Sequence, residues 1–260
     1  LGTPEPKVAK RLGLSKSTVI VVGGHDTPCG ALGAAITAPG HATYTLGTVH
    51  SICAVVDRFH PSLGIAGFPC YPHVIPNRYV TIGYNFTGGS LLRWYRDTFA
   101  QEEIVKAKTA NQDPYELILA DISPESSDLF VIPHFSGTGT PWFDTNAKGS
   151  ILGLTLNTKK SEIVKAILEG TTFELAMNME LLEKAGVPIT ELHAIGGSAK
   201  SDKDIRIRTN IMRRPVHIMN VTEAPALGAA ILAGVGVGVY ESAEAASRKI
   251  VEVTKVLYPE

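Results

Sequence analysis

Three glycine turns constrain this chain more than any other feature, and the first is Val-Val-Gly-Gly-His-Asp-Thr-Pro-Cys at residues 21–29. The β-branched run over 18–22 predicts a buried strand that stops at Gly23 and Gly24 and presents Asp26 just past its end. Open α/β sheets place their chemistry at such carboxyl-terminal strand ends. Gly47-Thr48 and Gly196-Gly197 read as similar strand-to-turn sites. Three in one chain point to a cleft for nucleotide phosphates with one acidic group in it.

With 260 residues, the chain can form one large or two small domains around an ample core. Its net charge of −1 gives no electrostatic footprint for nucleic acid or an anionic membrane. Cys29, Cys53 and Cys70 make an odd count without close pairs, which argues against disulfides and for a reducing cytoplasmic setting. Leu1 is not an initiator methionine, so the start reads as a cut within a longer protein. Residues 224–240 are uncharged and approach the ~20 residues of a membrane span. They are short, rich in Gly and Ala, and bracketed by Glu223 and Glu241, so they read as a buried helix packed through small residues.

Strands are expected at 18–22, 42–46, 51–56, 79–86, 129–133, 191–195 and 216–219, where β-branched and aromatic residues lie between turn signals. Residues 58–77 hold four prolines and read as a long connecting loop. Helices are expected at 7–14, 90–99, 114–120, 161–185, 203–212, 224–235 and 242–251. The longest has apolar positions at three- and four-residue steps from Val164 to Leu182, with Ser161 as its cap and Gly186 and Pro188 at its end. Early strands followed by αβαβα units make a mixed α/β domain.

Each candidate site has a functional and a plain structural reading. Asp26 suits a general base toward a substrate hydroxyl, a carboxylate near a metal-bound phosphate, or a turn residue capping Thr27 or Cys29. His25 beside it reads as a turn or supporting residue. Gly47-Thr48 can bring backbone N–H groups and a hydroxyl to phosphate oxygens, or it can be an ordinary hairpin turn. Gly196-Gly197-Ser198-Ala199-Lys200-Ser201 can lie against adenine or ribose with Ser201 as helix cap, or it can be a tight strand-to-helix turn. It lacks the spacing of G-x-G-x-x-G or of a Walker loop. Gly88-Gly89-Ser90 opens a helix with Arg93, Trp94 and Arg96, where a cation near a helix start suits a nucleotide and a snorkelling Arg93 is the plain alternative. No serine elbow, H-E-x-x-H or C-x-x-C occurs, so no metal ligand is expected from spacing.

Taken together, these residues resemble the carboxy-terminal domain of the FGGY carbohydrate kinases, the family of glycerol kinase, xylulokinase and gluconokinase. The resemblance spans nearly the whole chain. It rests on Gly23-Gly24-His25-Asp26, on Gly149 through Glu169, on Gly196-Gly197, and on Pro215-Val216. It also rests on Glu223-Ala224, Ala226-Leu227-Gly228-Ala229-Ala230 and Gly238-Val239-Tyr240. The resemblance implies an actin-like, ribonuclease-H-like α/β domain, a mixed sheet flanked by helices, acting as the nucleotide-side half of a two-domain enzyme. By the same resemblance, residues 1–260 are that C-terminal domain. The enzyme would phosphorylate a sugar or polyol with ATP and Mg2+; a homodimer is the assembly left open. Asp26 would be the base, with Thr27 beside it at the substrate. Gly47 and Thr48 would meet the ATP phosphates, and Gly89, Arg93, Gly196, Gly197 and Ser201 would line the nucleotide pocket. The isolated piece is expected to be inactive. Non-catalytic nucleotide binding by an actin-like module is the alternative; a dinucleotide oxidoreductase lacks its fingerprint here.

The sequence also departs from the family pattern. Asp204, Arg206 and Asn210 stand where relatives often carry Trp, Gln and Asp, and Gly137-Thr138-Gly139-Thr140-Pro141 stands where Gly-Glu-Arg-Thr-Pro is common.

Overall fold

Alternation of side chains along adjacent strands sets the architecture. The computed structural model describes residues 2–260. It runs through α1 (Pro6–Leu12), α2 (Asp26–Gly33), β1 (Gly40–Leu46), β2 (His50–Val56), α3 (Pro61–Ile65), β3 (Cys70–Pro72) and β4 (Tyr79–Asn85). Then come α4 (Gly89–Phe99), α5 (Gln101–Ala110), α6 (Pro114–Ile118), β5 (Phe130–Ile132), β6 (Ser150–Leu152) and α7 (Lys160–Lys184). The chain closes with β7 (Ile189–Ile195), α8 (Asp202–Met212), β8 (Val216–Met219), α9 (Ala224–Gly236), α10 (Ala243–Ile250) and β9 (Val253–Leu257).

Seven strands form one sheet in the order β3-β4-β2-β1-β7-β8-β9, with β5 and β6 a separate pair. β1 pairs with β7 and β7 with β8 in parallel, while the remaining ladders are antiparallel. The sheet is therefore mixed and flanked by helices, as expected. Ala42, Tyr44, Leu46, Leu192, Ala194 and Val216 point to one face, where they pack with Leu175, Met179 and Ile205 of α7 and α8. Cys53, Val55, Ile195 and Met219 point to the other, against Ala31 of α2, its C-cap Ala34, and Ala224 of α9. Period-two alternation thus gives one sheet two different cores.

Small residues bring α2 and α9 together. A Cβ at Gly33 would stand 1.9 Å from the Ala224 carbonyl oxygen, and one at Gly228 would stand 2.0 Å from that of Cys29. Residues 224–240 are therefore only partly the buried helix expected. Ala224, Gly228 and Ile231 are buried, but the opposite side of α9 is exposed. Among the described residues, no helix is long and apolar enough to cross a membrane.

Other expectations need correction. Residues 18–22 form no strand; Ile20 makes a single bridge to Gly2, and Val19, Ile20 and Val22 are exposed. β-branched composition favours a strand only where a partner edge and a buried face are available. Residues 58–77 are not one loop: prolines open α3 at its first turn and end β3 at the sheet edge, both compatible positions for proline. Helices α2 and α5 and strands β6 and β9 were not anticipated. Ser161 lies inside α7 rather than capping it; the Glu162 carboxylate accepts the Lys159 N–H at 2.6 Å instead.

Candidate functional site

The α2 face of the sheet does not close completely. Between the start of α2 and the carboxyl ends of β1 and β7 lies a cleft of about 850 Å³, lined among others by Asp26, Thr27, Thr45, Gly196 and Glu223. It sits beside the β1–β7 strand ends, where open α/β sheets bind ligands. A larger cavity of about 910 Å³ lies on the outer side of α7 and α8, and no sequence-predicted site residue lines it.

Asp26 is the first residue of α2, not the end of a strand. Gly24 lets the entering chain pass Val74, since a Cβ there would stand 2.2 Å from that side chain. The Asp26 Oδ1 accepts the Thr27 N–H at 2.7 Å and lies 2.9 Å from His25 Nδ1. Its side chain is 74% exposed, so the carboxylate is held by its own turn but open to a reactant. A negative charge on the first helical turn is also favoured by the helix dipole. Tyr71 walls the cleft nearby, with its ring edge-on to His25 at 6.0 Å. Burial pushes the Tyr71 phenol up to about 12, so it stays a hydrogen-bond donor.

Two of the other glycine turns meet in space. Gly47 and Thr48 form the β1–β2 turn, and their carbonyls accept the Gly89 N–H at 2.9 Å and the Ser90 N–H at 3.1 Å. A Cβ at Gly89 would stand 2.6 Å from the Gly47 oxygen. At Gly196, with φ +102, a Cβ would stand 2.7 Å from the Leu46 oxygen. Backbone thus replaces side chain at the junction of β1, β7 and α4. Thr48 and Gly197 remain exposed beside it. Ser201 caps α8 as expected, its hydroxyl accepting the Asp204 N–H at 3.4 Å.

Not every candidate converges. Asp26, Thr27 and Gly196 line the cleft, whereas Gly47, Thr48, Gly89, Arg93, Gly197 and Ser201 do not, and Arg93 lies on the exposed side of α4. The first amides of α4 are already bonded to Gly47 and Thr48, so the helix start fastens the turn instead of offering free donors.

Sequence reasoning missed what lies beneath the turn. Arg208 and Asp204 are both 2% exposed and form an ion pair at 2.6 Å. Arg208 Nη1 also donates to Thr172 Oγ1 at 2.9 Å. The adjacent Thr171 carbonyl accepts from Asn85 Nδ2 at 3.2 Å, and Asn85 Oδ1 accepts the His50 N–H at 3.1 Å. The His50 ring fills the space a Gly88 side chain would need, with its Cδ2 2.4 Å from that Cβ position. Burial and the Arg208 charge hold His50 well below its ordinary pKa, so the ring is neutral. A buried polar layer therefore supports Gly47-Thr48 from the α7–α8 side. The i, i+4 spacing of Asp204 and Arg208 was the available signal. The other departures also have partners: Arg206 pairs with Glu260 at 2.8 Å, and Asn210 accepts the Glu260 N–H at 3.2 Å.

The description "FGGY family of carbohydrate kinases, C-terminal domain" matches residues 42–237. The chain is 27% identical over 266 residues to the xylulose kinase of Staphylococcus epidermidis, covering 100% of this chain and 51% of the relative. It is 31% identical over 250 residues to the gluconokinase of Bacillus subtilis, covering 94% and 48%. The ligand-bound xylulose kinase from Lactobacillus acidophilus superimposes with a TM-score of 0.83 at 27% identity, over 98% of this chain and 50% of that one. The chain spans about half the length of the curated relatives it matches.

Proposed function

Because the chain belongs to the FGGY family of carbohydrate kinases, we propose that it is the C-terminal, nucleotide-side domain of an enzyme that phosphorylates a sugar or polyol hydroxyl with ATP. One observation carries this reading: Asp26 and the Gly196 turn line the same cleft, beside the Gly47-Thr48 junction. Asp26 accepts the proton of the acceptor hydroxyl, freeing its oxygen to attack the γ-phosphorus in line with departing ADP. Thr27 stands next to the base on the substrate side. Thr48 offers its exposed hydroxyl, and Gly47 its backbone, to the phosphates. Gly196, Gly197 and Ser201 flank the nucleoside, and a Cβ position at Gly197 meets nothing within 4 Å, which leaves room for a ring. The exposed carboxylates Asp26 and Glu223 line the cleft and are oxygen donors of the type Mg2+ accepts. Mg2+ carried with ATP supplies charge neutralisation.

A 74% exposed base faces water in this chain alone, and positioning two substrates needs a second wall. The domain therefore works as half of a two-domain enzyme, and its three free cysteines suit a reducing cytoplasm. The full-length protein should transfer phosphate from Mg2+-ATP to one of a panel of xylulose, gluconate, glycerol and related polyols. The 260-residue chain alone should show negligible turnover. Nucleotide binding without transfer to any panel member, in the full-length protein, would replace this reading with that of a non-catalytic nucleotide module.

A further inference from the structure

A second polar cluster lies on the α2 face of the sheet, toward the opposite end of α2 from Asp26. Parallel pairing sets His41 of β1 beside Glu191 of β7, and His193 of β7 beside His217 of β8. Alternation then puts all four side chains on one face. His41 Nδ1 lies 3.1 Å and His193 Nε2 lies 3.2 Å from Glu191 Oε1, while His217 Nε2 lies 3.6 Å from Glu191 Oε2. The donor atoms of His41, Glu191 and His193 all fall within 4.8 Å of one another. We propose that His41, Glu191, His193 and His217 form a binding site for a zinc-class divalent transition-metal ion.

The orientation of His193 is the strongest argument. Its Nδ1 lies 2.7 Å from the Ala34 carbonyl oxygen, which can only accept, so Nδ1 carries the proton. A neutral ring held this way turns only the Nε2 lone pair toward Glu191, whose carboxylate also only accepts. Two acceptors 3.2 Å apart need a positive centre next to both. A metal ion is one such centre, and an extra proton on the ring is the rival. Metal-ligating histidines characteristically donate their other ring nitrogen to a backbone carbonyl, as His193 does. Neighbouring ligands on tetrahedral Zn2+ stand roughly 3.3 Å apart when each bond is about 2.0 Å. The observed 3.1 and 3.2 Å separations match that spacing.

Three imidazoles and one carboxylate select zinc-like ions over Mg2+ or Ca2+, which take oxygen ligands. His41, Glu191 and His193 are already grouped, while His217 Nε2, 3.6 Å from Glu191 Oε2, lies outside that group and would swing in as the fourth donor. With all four bound, no position stays open and the site is structural. The ion links β1, β7 and β8, and through His193 it fixes the C-cap of α2. That helix carries Asp26 at its other end, about 12 Å away at 1.5 Å per residue. The ligands come from three separate strands, which is why no sequence spacing announces them.

Titration of the chelator-stripped chain with Zn2+, followed by calorimetry and thermal melting, tests the proposal without reference to turnover. One saturable equivalent should bind and raise the melting temperature, whereas Mg2+ should do neither. His41→Ala and His217→Ala remove partly exposed side chains and should leave the metal-free fold intact. Each should weaken Zn2+ binding at least tenfold, and the double variant about a hundredfold or more. His25→Ala, beside Asp26, should leave the affinity unchanged. Absence of saturable Zn2+ binding would overturn the proposal in favour of the extra proton. Undiminished binding in the double variant, or its loss in His25→Ala, would overturn it in favour of another site.

Discussion

The two faces of the central sheet solve opposite problems. On the α7–α8 face, Arg208 and Asp204 are sealed under helices, and their hydrogen bonds reach Thr172. On the α2–α9 face, glycines replace side chains at the helix contact, and the sheet opens into a cleft of about 850 Å³. The buried pair Arg208 and Asp204 is 2% exposed, while the open face leaves Asp26 with 74% of its side chain in solvent. Removing charge should therefore damage folding on one face and chemistry on the other.

That contrast can be broken from either side. In the full-length protein, Asp26→Asn should lower kcat by about 10²–10⁴-fold, the typical contribution of a general base, with urea stability and ATP affinity nearly unchanged. Arg208→Met should act in reverse. It leaves the Asp204 carboxylate buried without its partner, which costs about 3–5 kcal/mol in urea denaturation. The double change Asp204→Leu with Arg208→Met should recover most of that loss, because a well-packed apolar pair replaces a buried ion pair at little net cost.

Glu174 sharpens the comparison through pH. Its carboxylate is 3% exposed, and His134 Nε2 lies 3.4 Å away. Burial pushes its pKa up to about 7 from an ordinary 4.5. A raised carboxyl pKa means the folded state holds a proton that the unfolded state has released. The stabilisation is thus complete below about pH 4.5 and is lost as pH rises through 7. Across that window the protein should lose on the order of 3 kcal/mol, measured by denaturation at a series of pH values. Glu174→Gln should flatten the slope. A smaller effect is expected from Thr48→Val, which deletes one phosphate-facing hydroxyl and should raise KM for ATP by up to about tenfold with kcat little changed.

How much of this the sequence disclosed depends on the range of the interactions. The helix over α7 was legible because its apolar residues recur at three- and four-residue steps, a purely local signal. Gly47-Thr48, Gly89 and Gly196 were each legible as turns, but their meeting was not, because it rests on carbonyl contacts between strands far apart in the chain. Residues 18–22 have the composition of a strand and lack the partner that would make them one. Arg93 had two readings, and helix phase, not sequence neighbourhood, puts it on the exposed side of α4. Asp204 looked like an isolated departure from the family until its partner Arg208 appeared one helical turn away. Asp26 was recognised from its glycine turn, although it opens a helix instead of ending a strand.

The most direct test is a crystal structure of the full-length protein with a non-hydrolysable ATP analogue and its sugar or polyol acceptor. The account predicts an Asp26 carboxylate oxygen about 2.6–3.2 Å from the acceptor hydroxyl, or one water away, with the analogue's phosphates against Gly47-Thr48. An acceptor hydroxyl beyond that reach, or phosphates bound away from the junction of β1, β7 and α4, would contradict it.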